Sequence, residues 1–589
     1  MTTMSLEDKP GRTAPDRRWT VAASVLFLVV YFVRSASRGL NAYFTQDDGG
    51  NLLNMHQYWS HSMAYVLGSA LRVITGAYRP LGGVYYFALY KLAGFNPLPF
   101  RAVCLALMLA NVLLAFALLR RLSDSLTAAL FGAVLIVNHP TVLELLYSSG
   151  TIYEILCFLF YFLTMRCYFV WRQAGRHAGE TTLSWRRLAV ILVLTGCALD
   201  SKEMAMTLPA ALLLIELIYF PPESWSWREI GGFVARQCRG PLATAALVAP
   251  TIAIKVLTPN PLSDDRRYAS HSLRATVEGM RAYHHFLLYG LLSPIGLSTL
   301  GLAALWIVMG LAAFALRSRP MKFGLCFLIV ALLPVCLIPP RGGYMLYIPL
   351  MGWALYFGSF FQRLCDDLIR GLRLVRFDGA VRFAALTAAA VLIVNTHAAH
   401  LAPYAAGFES HQGETRRIVE RFRKVHPQLP LGSSLLLVDD PAPTGYELLF
   451  LARLAYGDPT LELDRLKMLR ATPAGSELTR YDLVLAGGWE LHDVRGVSDP
   501  RPPVEVRFRG GYNVEIPEFA GQTVDLATRT ILGNCSARAI TEQRVTLGAS
   551  GSGTLLAPPD SPPARIEVRW VRPPGEDWLS AAGGLNPER

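Results

Sequence analysis

Charge is scarce in this chain. Only 17% of its 589 residues are Asp, Glu, Lys or Arg, and 52% are hydrophobic; the mean hydropathy is +0.32. Soluble globular domains carry about 25% charged residues, so the deficit excludes an ordinary soluble fold. Cysteine pairs are missing where they would matter. Eight of the nine cysteines lie in or beside apolar runs, and Cys535 alone falls in the C-terminal third, which excludes an internal disulfide there. No Gly-rich phosphate loop or Walker pattern occurs, so nucleotide hydrolysis is unsupported. No His-x-x-x-His or paired Cys-x-x-Cys arrangement offers a zinc site, and no Gly-x-Ser-x-Gly elbow stands near a histidine. The net charge of +12 comes without a basic stripe interleaved with aromatics, which argues against nucleic acid as a partner.

What the chain has is apolar runs of about 20 residues, the length that crosses a bilayer. They fall near 19–37, 101–119, 125–145, 151–170, 187–200, 203–220, 241–257, 299–316, 322–339, 345–362 and 382–401, which makes eleven. Arg17 and Arg18 precede the first, and Arg34 and Arg38 interrupt the small-residue exit of a cleavable signal, so the first run is an uncleaved helix with a cytoplasmic N-terminus. With that start, "LRRLSD", "WRQAGRH…SWRR", "SWSWREIGGFVARQCRG", "LRSRPMK" and "LCDDLIRGLRLVRFDGAVR" all become cytoplasmic, and all are basic or carry clustered Arg. An odd span count puts the C-terminal domain outside. Residues from 402 on hold 21 Lys and Arg against 24 Asp and Glu, so the basic excess lies entirely in the membrane part. Gly82 to Phe95 and Tyr283 to Ser298 are too short or too broken to span. They read as amphipathic or re-entrant elements on the outer face, or as core packing inside a folded loop.

The expected organisation is a cytoplasmic tail over 1–18, a transmembrane domain over 19–401 with a first outer loop at 41–100, a helical linker over 402–428 and a soluble domain over 429–589. The fold class is mainly α, a polytopic helical membrane domain of about eleven spans with a C-terminal extracytoplasmic α/β domain. In that domain "SSLLLVDD" and "YDLVLAGGWE" read as strands around a helix in "GYELLFLARLAYG" ending at Gly457. "VEVRFRGGYNVEI" reads as a hairpin and "ARIEVRWVR" as a further strand. Asp439 and Asp440 at a strand's end read as a capped strand-to-loop turn, with a site as the alternative.

Ionisable residues at membrane depth cost about 2.5–3.5 kcal/mol each and are functional hypotheses by default. Here they gather on one expected face. Asp47 and Asp48 follow the first span, and Glu144 and Glu154 flank the turn between the third and fourth. Lys202 and Glu203 sit inside the apolar "GCALDSKEMAMTLP", and Arg341 opens the loop before the tenth span, followed by Tyr344. Each pair has a plainer reading: an aspartate caps a helix, and Lys202 and Glu203 neutralise each other with the lysine snorkelling. Their convergence on one leaflet favours a site. A carboxylate pair suits base chemistry, and Arg, Lys and Tyr suit an anionic phosphate, so a lipid-linked phosphate donor fits best.

The order of "QDDGGNLLN", "YRPLGGVYYFALYKLAGFNPLPFRAVCLALMLANVLLAFAL", "AALFGAVLIVNHPTVLELLYSSGTIYE", "ALDSKEMAMTLP" and "RGGYMLYIPLMG" resembles the GT-C class of membrane glycosyltransferases. Within that class it is similar to the protein O-mannosyltransferase-like branch that includes the transmembrane and tetratricopeptide-repeat proteins. The likeness covers roughly residues 40–360. It implies a polyprenyl-phosphate sugar donor, transfer to a hydroxyl of a glycan, lipid or protein on the periplasmic face, and usually inversion at the sugar carbon. It assigns the base to Asp47, with Asp48 as second candidate, and places Arg79, Lys202, Arg341 and Tyr344 at the donor phosphate with Glu144, Glu154 and Glu203 in support. The metal is unknown, with a divalent cation left open. Ala and Arg usage points to a bacterial inner membrane. The chain departs from the pattern in three places: no arginine stands two residues before Glu154, two glycines stretch the Arg341-to-Tyr344 spacing, and no 34-residue repeat follows the membrane domain. A protein acceptor is therefore not carried over. The rival readings are a flippase or transporter of lipid-linked glycans and a non-catalytic envelope-assembly protein.

Overall fold

The structure, a computed structural model, describes residues 14–54, 79–180, 182–257, 273–288, 298–337 and 341–425. In the C-terminal part it describes 427–437, 447–458, 460–466, 481, 483–486, 490–493, 501–502, 504–508, 512–532, 538–556 and 563–570. Two compact units result. One comprises Met1–Ala42 with Ser60–Glu409, the other Tyr43–Trp59 with Ser410–Arg589. The second unit thus takes in a piece of chain that the sequence assigns to the first outer loop.

The first unit is helical. Its helices are α1 (Ala14–Ala36), α3 (Pro80–Ala93), α4 (Pro97–Ser123), α5 (Leu126–Asn138), α6 (Leu143–Tyr147), α7 (Ile152–His177), α8 (Trp185–Ser201) and α9 (Leu208–Tyr219). They continue with α10 (Trp227–Gly232), α11 (Arg239–Leu257), α12 (Leu273–Leu287), α13 (Thr299–Ala315), α14 (Arg319–Cys336), α15 (Pro349–Gly371) and the first part of α16 (Asp378–Val425); α2 (Gln46–Asn54) belongs to the second unit. Local signals set the boundaries. Asn96, Ser125 and Ser318 each accept a backbone N–H at the start of α4, α5 and α14, and Pro stands in the first turn of α3, α4 and α14.

Among the described residues, five helices are long and apolar enough to cross a membrane: Arg18–Asn41, Pro97–Ser123, Ser149–His177, Arg319–Cys336 and Val375–Ala398. The pair Leu126–Asn138 and Pro140–Tyr147, bent by 52°, makes a sixth if it is one span. Eleven runs were expected from hydropathy. Three of them fall on α8, α9 and α13, of 17, 12 and 17 residues. At about 1.5 Å rise per residue these are shorter than a hydrocarbon core of about 30 Å. Another falls on α15, whose last turns carry Asp366, Asp367 and Arg370.

The expected in-plane element at 82–95 is the helix α3, and it is packed. Tyr85, Tyr86 and Phe87 are buried; the Tyr85 hydroxyl donates to the Phe100 carbonyl at 2.8 Å, and the Tyr86 hydroxyl to that of Ser149 at 3.0 Å. The segment Tyr283 to Ser298 is described as far as 288, where it ends α12; Pro294 lies outside the described residues. A fully buried arginine closes one end of this packing. Arg101 donates to the Gly39 carbonyl at 3.1 Å, to the Ser149 hydroxyl at 3.3 Å and to the carbonyls of Leu145 and Leu146. Spreading the charge over four acceptors is what makes a buried guanidinium tolerable.

The second unit has two parts. Strands β1 (Ser434–Leu437), β2 (Glu462–Arg465), β3 (Leu483–Ala486) and β4 (Glu490–Asp493) form a sheet in the order β2-β1-β3-β4, parallel except for the β3/β4 pair. Leu435 and Leu437 of β1 pack with Leu448 and Ala452 of α17 (Glu447–Tyr456) and with Phe422 from the end of α16. The expected linker is thus part of one 48-residue helix. The α/β expectation describes this part only, and Asp439 and Asp440 lie outside the described residues.

Beyond it the chain is antiparallel β. One sheet is β5 (Glu505–Phe508), β6 (Tyr512–Glu515) and β9 (Ser552–Thr554); the other is β10 (Pro563–Trp570), β7 (Thr523–Leu532) and β8 (Arg538–Thr546). Val514, Val524, Leu526, Val545 and Trp570 form one core drawn from both sheets, as alternating strands of a sandwich do.

Candidate functional site

The chain turns at Ser148–Thr151 and starts α7, which puts Glu154 in that helix's first turn. An acid there complements the positive end of the helix dipole. Helix α8 runs back beside α7 and ends at Ser201, so Lys202 arrives at the same end of the bundle. The Lys202 ammonium pairs with the Glu154 carboxylate, both side chains buried. It also lies 5.3 Å from the centroid of the Tyr344 ring.

A second pair lies beside the first. Arg79 donates from Nε at 3.2 Å and Nη2 at 2.9 Å to Oε2 of Glu203, and its guanidinium stands 5.2 Å over the Tyr153 ring. The partners are neighbours in sequence: Tyr153 with Glu154, Lys202 with Glu203. Two helix junctions therefore present two cations and two acids in one connected group. Arg79 has a left-handed backbone, φ 49°, immediately before Pro80. A non-glycine residue in that region is strained, and such strain gathers at functional sites.

Glycines bring the walls close. A Cβ on Gly82 would run into the Tyr153 ring. A Cβ on Gly342 would lie 2.7 Å from both the Glu144 carboxylate and the Tyr344 ring, and one on Gly343 would lie 3.1 Å from Cα of Thr141. The two glycines that lengthen the Arg341-to-Tyr344 spacing therefore sit where a side chain would press on its neighbours. The backbone N–H of Arg341 donates to the buried Tyr283 hydroxyl at 3.2 Å, which ties this turn to α12.

No protein-family model matches this chain, and no curated protein matches it. Solved structures are similar to it. ArnT from Cupriavidus metallidurans bound to undecaprenyl phosphate shares 14% identity at a TM-score of 0.45, over 76% of this chain and 90% of that one. The archaeal oligosaccharyltransferase AglB from Archaeoglobus fulgidus, in complex with an inhibitory peptide and a dolichol-phosphate, shares 12% at 0.41, over 77% of this chain and 65% of that one. The apo form of the Archaeoglobus fulgidus oligosaccharyltransferase shares 12% at 0.43, over 76% and 65%. The chain thus spans just under two thirds of the oligosaccharyltransferases.

Of the residues singled out in the sequence, Arg79, Glu203, Lys202, Glu154 and Tyr344 form the connected group, and the Glu144 carboxylate and the Tyr344 ring both face Gly342, which follows Arg341 in the chain. Asp47 and Asp48 lie on α2 in the second unit. Asp48 is buried, and its Oδ2 accepts from the N–H and the hydroxyl of Thr45, both at 2.9 Å. The backbone carbonyl of Thr45 accepts the N–H of Gly49, the first bond of α2, and Asp48 supplies the acid half of a capping box. Asp47 is exposed. Gly49 and Gly50 lie against Phe450 of α17, where a Cβ on Gly49 would meet Cβ of Phe450 at 2.8 Å.

Sequence reasoning assigns no role to Tyr153, Tyr283 or Gly82 and marks Gly342 only as one of two glycines that stretch a spacing. A tyrosine beside a buried acid and paired glycines in "PLGG" and "RGG" were visible signals. Their roles depend on which distant ring or carboxylate faces them.

Among the described residues, no group of three or more His, Cys, Asp or Glu side chains is placed to hold a metal ion.

Proposed function

We propose that this chain is a GT-C-type integral-membrane glycosyltransferase that moves a sugar from a polyprenyl-phosphate donor to a hydroxyl acceptor. The reading is carried by the connected group of Arg79, Glu203, Lys202 and Glu154 under Tyr344, built at one end of apolar helices. Cations held at the end of a membrane bundle suit a phosphate whose lipid tail lies in the bilayer. The ordered motifs that resemble the GT-C class support the same reading.

In the proposed reaction the acceptor oxygen forms a bond to the anomeric carbon while the bond from that carbon to the phosphate oxygen breaks. Polyprenyl phosphate leaves with the electron pair, and the acceptor proton passes to a carboxylate. One displacement inverts the sugar carbon. The resemblance assigns the base to Asp47, with Asp48 as the second candidate. Lys202, Arg79, Arg341 and Tyr344 receive the departing phosphate, whose charge grows as the bond breaks. The membrane domain crosses a bacterial inner membrane about eleven times, and the C-terminal domain lies on the periplasmic side.

The test is transfer by the purified full chain in liposomes, with a radiolabelled polyprenyl-phosphate sugar and a chelator arm that reports any need for a divalent cation. Envelope glycans compared by mass spectrometry with and without the gene identify the acceptor. Purified protein that binds the donor and never turns it over overturns the enzyme reading. A second reading, a flippase for lipid-linked glycans, draws on the 52° break after Asn138. It predicts that labelled lipid changes leaflet with no release of polyprenyl phosphate.

A further inference from the structure

The end of the bundle away from the charged group carries a surface of a different kind. Helix α7 runs from Glu154 to His177, on the order of 35 Å at 1.5 Å per residue, enough to reach from one side of a bilayer to the other. At its far end α8 begins, α9 ends and α11 begins. Three tryptophans are exposed there: Trp185 at 70%, Trp225 at 65% and Trp227 at 90%. Burial is the usual state of so large an apolar ring, and the membrane interface is the other place where Trp is favoured.

The segment around them has two sides. Ser226 caps α10 by accepting from the N–H of Glu229 at 3.4 Å; Phe233 and Cys238 are buried, while Trp225, Trp227 and Val234 are exposed. Between α10 and α11, Phe233–Gln237 takes one wide helical turn. Arginines accompany the rings. The Arg239 guanidinium stacks 3.6 Å over Trp185, and Arg236 folds back along the segment, so that a Cβ on Gly232 would lie 2.9 Å from its Nη2. Arg186 and Arg228 are exposed beside them. Arg172 takes no part, since Glu216 binds it at 2.6 and 2.9 Å inside the bundle. Within 176–187 and 222–239 the acids are Glu180, Glu223 and Glu229 against six arginines, and Glu180 stands 3.9 Å from Arg187.

We propose that residues 222–239 with Trp185 and Arg186 form an in-plane foot that binds the headgroups of anionic phospholipids. Exposed rings, one of them stacked with a guanidinium group, at the end of apolar helices fit a charged lipid surface. The assignment is independent of the transferase reading.

The experiment is native mass spectrometry of the full chain in detergent, titrated with phosphatidylglycerol or phosphatidylcholine. The wild-type chain retains phosphatidylglycerol several-fold better. One cation near an anionic surface shifts binding by about fivefold, so the variant Arg186→Gln/Arg236→Gln/Arg239→Gln loses the preference. Arg501→Gln/Arg507→Gln/Arg544→Gln, with the same change in net charge on the sandwich, keeps it. Equal retention of both lipids by the wild type, a preference surviving in the first variant, or equal loss in both variants overturns the proposal. Hydrogen exchange of the wild type needs no variant. Amides of 224–237 exchange more slowly in phosphatidylglycerol bilayers than in phosphatidylcholine ones, and identical exchange in both overturns it.

Discussion

Arg79 and Glu203 meet at a single oxygen, with Nε and Nη2 of the arginine both directed at Oε2 of the glutamate. Their side chains are 16% and 26% exposed. A partly hydrated pair of this kind contributes about 0–1 kcal/mol to stability, so its geometry points to recognition. Arg79→Ala is expected to lower kcat/KM for the lipid-phosphate donor by about 10–100-fold, the equivalent of one charge-assisted hydrogen bond. Thermal unfolding should shift little. A variant that loses several kcal/mol of stability while transferring normally would show that the pair is structural.

Lys202 and Glu154 are the opposite case, because both are buried. Lys202→Met leaves a carboxylate without its counter-charge and is expected to cost about 3–5 kcal/mol. Lys202→Met/Glu154→Gln removes the stranded charge and should regain most of that stability in the same unfolding assay, though not transfer. If the single and double variants unfold alike, the coupling between the two groups is absent.

Asp47 and Asp48 separate by their surroundings. Asp48→Ala removes the acid of the capping box with Thr45 and should destabilise the second unit by about 0.5–2 kcal/mol. Asp47→Asn, at an exposed position, should leave unfolding unchanged and abolish sugar transfer. Normal turnover by Asp47→Asn removes that residue as base.

Gly342→Ala places a methyl group against the Glu144 carboxylate and the Tyr344 ring. The expected result is a fall in transfer of at least about tenfold with the chain still inserted, since displacing a positioned group by about 1 Å costs up to 100-fold. Gly49→Ala in α2 presses on Phe450 and should lower the melting temperature of the second unit. Wild-type behaviour of both variants would mean that these walls yield freely.

Much of the architecture was legible before any coordinates. Hydropathy marked the apolar helices, and the alternation in "VEVRFRGGYNVEI" matches the pairing of Glu505 with Glu515 and Phe508 with Tyr512. The number of crossings was less legible. Hydropathy marks eleven apolar runs, and α8, α9 and α13, at 17, 12 and 17 residues, do not by their length alone mark a crossing. The sandwich was missed in part because β7 and β8 carry polar residues on one face and no strong apolar run.

The chain by itself determined where apolar helices form, which of their ends are charged and which residues stand beside a buried acid. Those properties are local, set by hydrophobic periodicity and by caps a few residues apart. Only the tertiary structure decided that Lys202 answers Glu154, that Arg79 answers Glu203 over the Tyr153 ring, and that Gly342 leaves room for Glu144 and Tyr344. It also decided that Asp48 caps a helix packed on Phe450. Apart from the cap and the Gly342–Tyr344 contact, those pairings join residues distant along the chain, and a pairing between distant charges leaves no periodic trace, because its energy depends on the packing that brings the two together.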